Sequence, residues 1–174
     1  LVSDIPSSER NTYVGIDNIA AGRTAAQLMG RFLGPVQGNI LVLTGSMLAR
    51  DHLERRLGFD EVMARDFPHL NVLASLEGRD DPYLIERLLP QTLERTGNIV
   101  GHELTPLARL ARGDGLLDAV ISQDAGHLVR SALRIMRAVV DKSPINTAQE
   151  RIRIDVYLKE NLPPEPARSR EEKT

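Results

Sequence analysis

The sequence predicts an α/β fold built from parallel sheets flanked by helices. Short apolar runs alternate with amphipathic helical patterns along most of the chain, as they do when strands are covered by helices. The stretch from Tyr13 to Arg31 shows one such unit in full: a short apolar strand, a polar turn and a strongly periodic helix. The 174 residues are enough for one domain with a sizeable core.

The first helix should carry Ala21, Ala25, Leu28, Met29 and Phe32 on one face and stop at Gly34-Pro35. Asn39 to Leu43 is a continuous apolar run, suited to a strand buried on both faces. Thr44, Gly45 and Ser46 open a loop into a second helix, roughly Arg50 to Phe67, packing with Leu53, Leu57, Val62 and Met63 and ended by Pro68. A strand is expected from Asn71 to Leu76. Pro82 suits the first turn of a third helix bearing Ile85, Leu88, Leu89 and Leu93. Asn98 to Val100 reads as the start of another strand, and Ala119 to Ser122 as a short apolar one. The latter feeds a helix from about Gly126 to Val140 whose face is Val129, Ala132, Leu133, Met136 and Val140. Arg151 to Leu158 alternates charged and apolar residues, with Ile152, Ile154, Val156 and Leu158 on one side, as a half-exposed strand should. Residues 163–174 are rich in proline and charge and read as a disordered tail.

Composition excludes several function classes. There is no cysteine, so neither disulfides nor thiolate metal sites arise, although this does not separate cytoplasm from periplasm. A net charge of −2, with Lys and Arg scattered among acids, lacks the basic excess of a nucleic-acid-binding domain. No apolar run approaches the length needed to span a bilayer, and no charged segment followed by an apolar one opens the chain, so no membrane partner is expected. The abrupt start at Leu1, inside what reads as an apolar strand, suggests a piece of something longer.

Chemistry-bearing residues are few. Asp17 and Asn18 stand at the strand-to-helix turn, where a side chain can cap the helix or face a crevice at the carboxyl end of the strand. Asp51 lies one helical turn before Arg55 on the same face, where it can bind ligand, pair with Arg55 or cap its helix. Arg55, among Arg50, Glu54 and Arg56, would by itself be a solvated surface charge. His102 beside Glu103, even with His52, His69 and His127, has no second ligand at metal spacing, so no metal and no cofactor are expected. Thr44-Gly45-Ser46 lacks the Lys and the glycine spacing of a phosphate loop. No paired carboxylates, Ser-His-Asp set or activated nucleophile emerges, so the chain is not read as an enzyme.

Taken in order, YVGIDNIAAGRTAAQLMGRFLG, ILVLTGSMLARDHLERRLGF, GHELTP, LLDAVISQD and RIRIDVYLKENLP resemble the effector-binding domain of LacI-type transcriptional regulators. That domain shares its fold with type I periplasmic sugar-binding proteins. The resemblance implies a two-lobed architecture, incompletely represented here, whose lobes are joined by crossover strands and close on a small molecule, commonly a sugar. On that reading residues 1–15 end the first lobe and form the first crossover, and 16–118 form the second lobe. Residues 119–150 make the second crossover and return to the first lobe, and 151–162 make the third crossover strand. A strand, a helix and a further strand, on the order of thirty residues, would stand in the family between Val100 and Gly101, where here NIV joins GHEL directly.

The resemblance also implies a site. Arg55 matches the arginine that holds sugar hydroxyls, its planar fork of donors serving two oxygens. Glu103 matches an acidic position that accepts sugar hydroxyls and is usually Asp in sugar binders. Gln123 matches the crossover glutamine that contacts ligand near the hinge, and Asp17 a first-crossover position facing the cleft. Asp51 completes the ligand-binding set. The implied function is that of a cytoplasmic sensor and homodimer that meets operator DNA only through an amino-terminal helix-turn-helix outside these residues. The alternative is a periplasmic sugar-binding protein of an ABC transporter.

Overall fold

The computed structural model describes residues 12–79, 81, 83, 98–114 and 116–164. The third helix expected after Pro82, the apolar start before Tyr13 and the tail beyond residue 164 lie outside them. The strands are β1 (Gly38–Ile40), β2 (Leu43–Thr44), β3 (Leu70–Val72), β4 (Leu76–Glu77), β5 (Val100–His102), β6 (Ala119–Gln123) and β7 (Ile154–Tyr157). The helices are α1 (Asn18–Leu33), α2 (Arg50–Asp66), α3 (Pro106–Gly113) and α4 (Ala125–Val140).

Parallel pairing dominates, as expected. β1 pairs with β3, β2 with β4 and β5 with β6, all in parallel. The run Asn39 to Leu43 is broken into β1 and β2, but the ladder persists across the break: the Leu73 amide donates to Ile40 O at 2.8 Å and that of Leu76 to Val42 O at 2.9 Å. β7 lies antiparallel to β6, with Ile121 opposite Val156. The chain passes from Val100 into Gly101 within β5, so the two segments that the family would separate form one strand.

α1 sits between two cores. One edge meets Ile40, Phe59, Val62, Met63 and Leu70; the other meets Ile16, Ile121, Leu128 and Ile152, with Ala25 touching both. The helix ends where Gly34 adopts φ 66°, a left-handed conformation that glycine reaches without strain.

The buried face of α2 differs from the expected one. Leu53 and Leu57 are 47% and 61% exposed, while Asp51, Gly58, Phe59, Val62 and Met63 are buried. Glycine decides this: a Cβ on Gly22 would fall on the carbonyl oxygen of Arg55, and one on Gly58 on that of Ile19. The two helix backbones touch along that line, which rotates Leu53 and Leu57 outward. Arg23 to Glu61, at 2.8 Å, and Gln27 to Asp66, at 2.7 Å, close the outer seam.

α4 is rotated in a similar way. Its buried residues are Leu128, Ser131 and Ile135, whereas Val129, Leu133, Met136 and Val140 of the expected face are exposed and Ala132 is half-buried. Fully buried Ser131 accounts for the choice of edge. Its hydroxyl donates to the Glu150 carboxylate, which Arg134 clamps with two bonds of 2.8 and 2.7 Å. This network ties α4 to the segment leading into β7.

Candidate functional site

The start of α1 packs on α2 at Arg55 to Gly58, and α1 also contacts β5 and β6. α1 begins at Asn18 because Asp17 caps it: the Asp17 carboxylate accepts the Ala20 amide at 2.9 Å. Of the two roles open to Asp17 from sequence, the structure shows the cap, and the residue also borders a cleft. Its neighbour Asn18, 3% exposed, points into the site and accepts from Arg55 Nε at 3.0 Å while its amide donates to the Tyr13 hydroxyl at 3.3 Å.

Arg55 donates a second bond, from Nη2 to Asp51 Oδ2 at 3.1 Å. Asp51 is only 5% exposed and lies in the first turn of α2, where its charge also complements the helix dipole. Of the three readings for Asp51, the structure shows the pairing with Arg55; Asp51 lies in the first turn of α2, but the helix starts at Ala49 with no side-chain cap. The helix crossing at Gly22 and Gly58 fixes the backbone from which Arg55 reaches Asn18. His52, next along, bonds through Nδ1 with the backbone of Ser46, so the Thr44-Gly45-Ser46 loop is tied to α2.

On the facing side, β5 delivers His102 and Glu103. Glu103 takes φ 71°, which turns the chain out of the strand, while its amide still donates to Ile121 O at 2.7 Å. Its carboxylate accepts from Gln123 Nε2 at 3.1 Å. Glu103 is held below the usual carboxylate range, first by the adjacent His102 and then by the charge of Arg55 and the Gln123 amide, against the opposing effect of burial. His102 Nδ1 lies 3.7 Å from Glu103 Oε1, longer than a hydrogen bond, and neither buried ring nitrogen has a hydrogen-bond partner among the described residues. Burial lowers the His102 pKa against the opposing effect of Glu103, with the charges of Arg55 and His52 adding to the fall.

The structure thus pairs Arg55 with Asp51 and Gln123 with Glu103, and the charge of Arg55 also acts on His102 and Glu103. Asp17 instead lines an open cleft with His127, Gln149, Arg151 and Arg153. The sequence alone assigns neither Asn18 nor His102 to the site. The signal for Asn18 was its place one residue into the turn; that for His102 was its adjacency to Glu103. No group of His, Asp and Glu suited to a metal ion occurs among the described residues. Nor, among them, is any helix long and apolar enough to cross a membrane.

The sequence profile of the periplasmic binding protein domain matches residues 1–95. No curated protein matches the chain. Among solved structures, an ABC transporter solute binding protein from Burkholderia graminis in complex with D-arabinose is 21% identical, with a TM-score of 0.77 over 91% of this chain and 65% of that one. GanP, a glucose-galactose binding protein from Geobacillus stearothermophilus, is 19% identical, with a TM-score of 0.76 over 92% of this chain and 66% of its own. The fructose binding periplasmic domain of a hybrid two component system is 20% identical, with a TM-score of 0.73 over 92% and 62%. The chain thus spans just under two thirds of the length of these relatives in fold.

Proposed function

This chain belongs to the periplasmic binding protein domain family, and we propose that it is the effector-sensing part of a LacI-type transcriptional regulator that binds a sugar or sugar derivative. Two observations support the reading: Arg55 is fixed by Asn18 and Asp51, and Gln123 donates to Glu103 at the carboxyl ends of the parallel pair β5 and β6, where open α/β folds place small ligands. Charged donors and acceptors that are already hydrogen-bonded into fixed positions suit a ligand made of hydroxyl groups. In this reading Arg55 donates to sugar oxygens, Asp51 and Glu103 accept from sugar hydroxyls, and the Gln123 amide does both. The segments around Ile16, Gln123 and Ile152 act as crossovers between this lobe and a first lobe, with the boundaries set out from the sequence.

The likeness of GHELTP and RIRIDVYLKENLP to regulators supports a cytoplasmic homodimer whose operator contacts come from an amino-terminal helix-turn-helix. The transporter and periplasmic relatives favour a second reading, an ABC-type periplasmic sugar-binding protein. Thermal denaturation with D-arabinose, D-glucose, D-galactose, D-fructose and D-allose tests the shared part. A sugar present at a hundred times its Kd should raise Tm by about 5–10 °C. Five flat profiles would contradict sugar binding. Gel shifts of the full-length protein on the DNA upstream of its own gene separate the two readings. A sharp band that the sugar alters supports the regulator, and no band supports the transport protein.

A further inference from the structure

α2 begins without a side-chain cap. Its N-cap position is Ala49, which has no side-chain acceptor to do for α2 what Asp17 does for α1 and Asp124 for α4. Yet the first turn of α2 carries Asp51, and Asp51 holds Arg55 through the 3.1 Å bond from Nη2. His52 ties this turn down. Its Nδ1 lies 3.0 Å from the Ser46 amide nitrogen and 2.9 Å from the Ser46 carbonyl oxygen, so it accepts from the first when unprotonated and donates to the second when protonated. Ser46 in turn accepts the Leu48 amide on its hydroxyl at 3.2 Å and the Ala49 amide on its carbonyl at 3.3 Å. The loop and the helix start thus close on one imidazole. Its other nitrogen, Nε2, stands 3.7 Å from Asp51 Oδ2, too far for a hydrogen bond.

Accepting the sugar-binding reading above, we propose that His52 is a positioning residue for the ligand site: it replaces the absent cap of α2 and so keeps Asp51, and through it Arg55, in place to meet the ligand. In a capping box the third helical residue reaches back to the N-cap backbone. His52 is that third residue, counted from Ala49, and its ring reaches past Ala49 to Ser46. Without it the first turn of α2 frays, and Asp51 no longer fixes one side of the Arg55 guanidinium. His52 acts through the turn and does not touch the sugar.

The test compares the wild-type chain, His52→Leu and the double variant His52→Leu with Ala49→Ser. Each is titrated calorimetrically with those of D-arabinose, D-glucose, D-galactose, D-fructose and D-allose that raise the wild-type Tm, and amide hydrogen exchange is measured without sugar. Leucine is the better helix former, so helix propensity cannot explain a loss. His52→Leu should speed exchange at Ser46 and at Leu53, whose amide donates to Ala49 O at 3.1 Å, and weaken sugar binding about three- to tenfold, the scale of a lost cap. Ala49→Ser supplies a capping oxygen, and should restore both the affinity and the protection of Leu53 while Ser46 stays fast. Unchanged affinity in His52→Leu would overturn the proposal. So would a loss that Ala49→Ser leaves unrecovered, which is the behaviour of a residue that meets the sugar itself. Unchanged exchange at Leu53 in His52→Leu would overturn it and leave sugar binding standing. Binding of none of the five sugars by the wild type would count against sugar binding, and this inference would fall with it.

Discussion

Adding one methyl group at Gly58 should cost stability even though alanine is the better helix former. In an exposed helix Gly→Ala gains about 1 kcal/mol. At Gly58 the new Cβ lands on the carbonyl oxygen of Ile19, which is α1 backbone and cannot swing away as a side-chain tip can. Relief requires moving one helix bodily off the other, so the overpacking cost falls near the upper end of its usual range, about 3 kcal/mol. The net loss of about 2 kcal/mol corresponds to a fall in Tm of about 4–8 °C for a chain of this size. Gly126, in the first turn of α4, is the contrast: there the nearest obstacle is the tip of the Arg130 side chain, which can move. Gly126→Ala should therefore hold or raise Tm by a few degrees. Differential scanning calorimetry of both variants checks this. An unchanged or raised Tm for Gly58→Ala would refute the claim that helix contact at this point positions Arg55.

Three other changes should separate cleanly. Asp124 caps α4 by accepting the His127 amide at 2.8 Å, so Asp124→Ala should lower stability by about 0.5–2 kcal/mol in urea unfolding while sparing sugar affinity. Gln123→Ala should do the reverse in calorimetric titration, weakening affinity with little change in Tm, because among the described residues its side-chain amide bonds the half-buried Glu103 alone. Glu150, held at about 2 against an ordinary 4.5 by Arg134 and the Ser131 hydroxyl, stabilises the fold above pH 4.5 and loses that contribution as pH falls toward 2. Glu150→Gln should thus be less stable than wild type at pH 7, with the gap closing between about pH 4.5 and 2; a gap independent of pH in chemical denaturation would contradict the assignment.

The type and order of most elements were legible because each depends on local signals that the tertiary structure did not override, whereas the short α3 (Pro106–Gly113) was not read from the sequence. α1 runs between a capping Asp17 and Gly34, α4 begins after Asp124, and β6 coincides with the apolar run at Ala119. Which face of a helix is buried was less legible. Apolar periodicity favoured Leu53 and Leu57 in α2, but the helix contact is made through Gly22 and Gly58, residues that a hydrophobic count passes over. In α4 the stripe of Val129, Leu133 and Met136 outweighed Ser131 by hydropathy, yet the buried bond of Ser131 to Glu150 fixes the other edge inward. The direction of β7 depends on its pairing with β6, a long-range fact that alternation along one strand does not encode. Arg55, Asp51, Glu103 and Gln123 are singled out by the resemblance, and the structure adds the bonds from Arg55 to Asp51 and from Gln123 to Glu103. Asn18 was not separated from Asp17, since adjacent residues at a helix start differ by about 100° in direction, a difference only the fold resolves.

A crystal structure of the chain with whichever sugar raises its Tm bears most directly on the central claim that these residues form the ligand site. The account predicts sugar hydroxyls at about 2.7–3.2 Å from the Arg55 guanidinium and the carboxylates of Asp51 and Glu103, with Gln123 bonded to the same molecule. A sugar seated instead in the cleft lined by Asp17, His127 and Arg153, with no contact to Arg55 or Glu103, would contradict it.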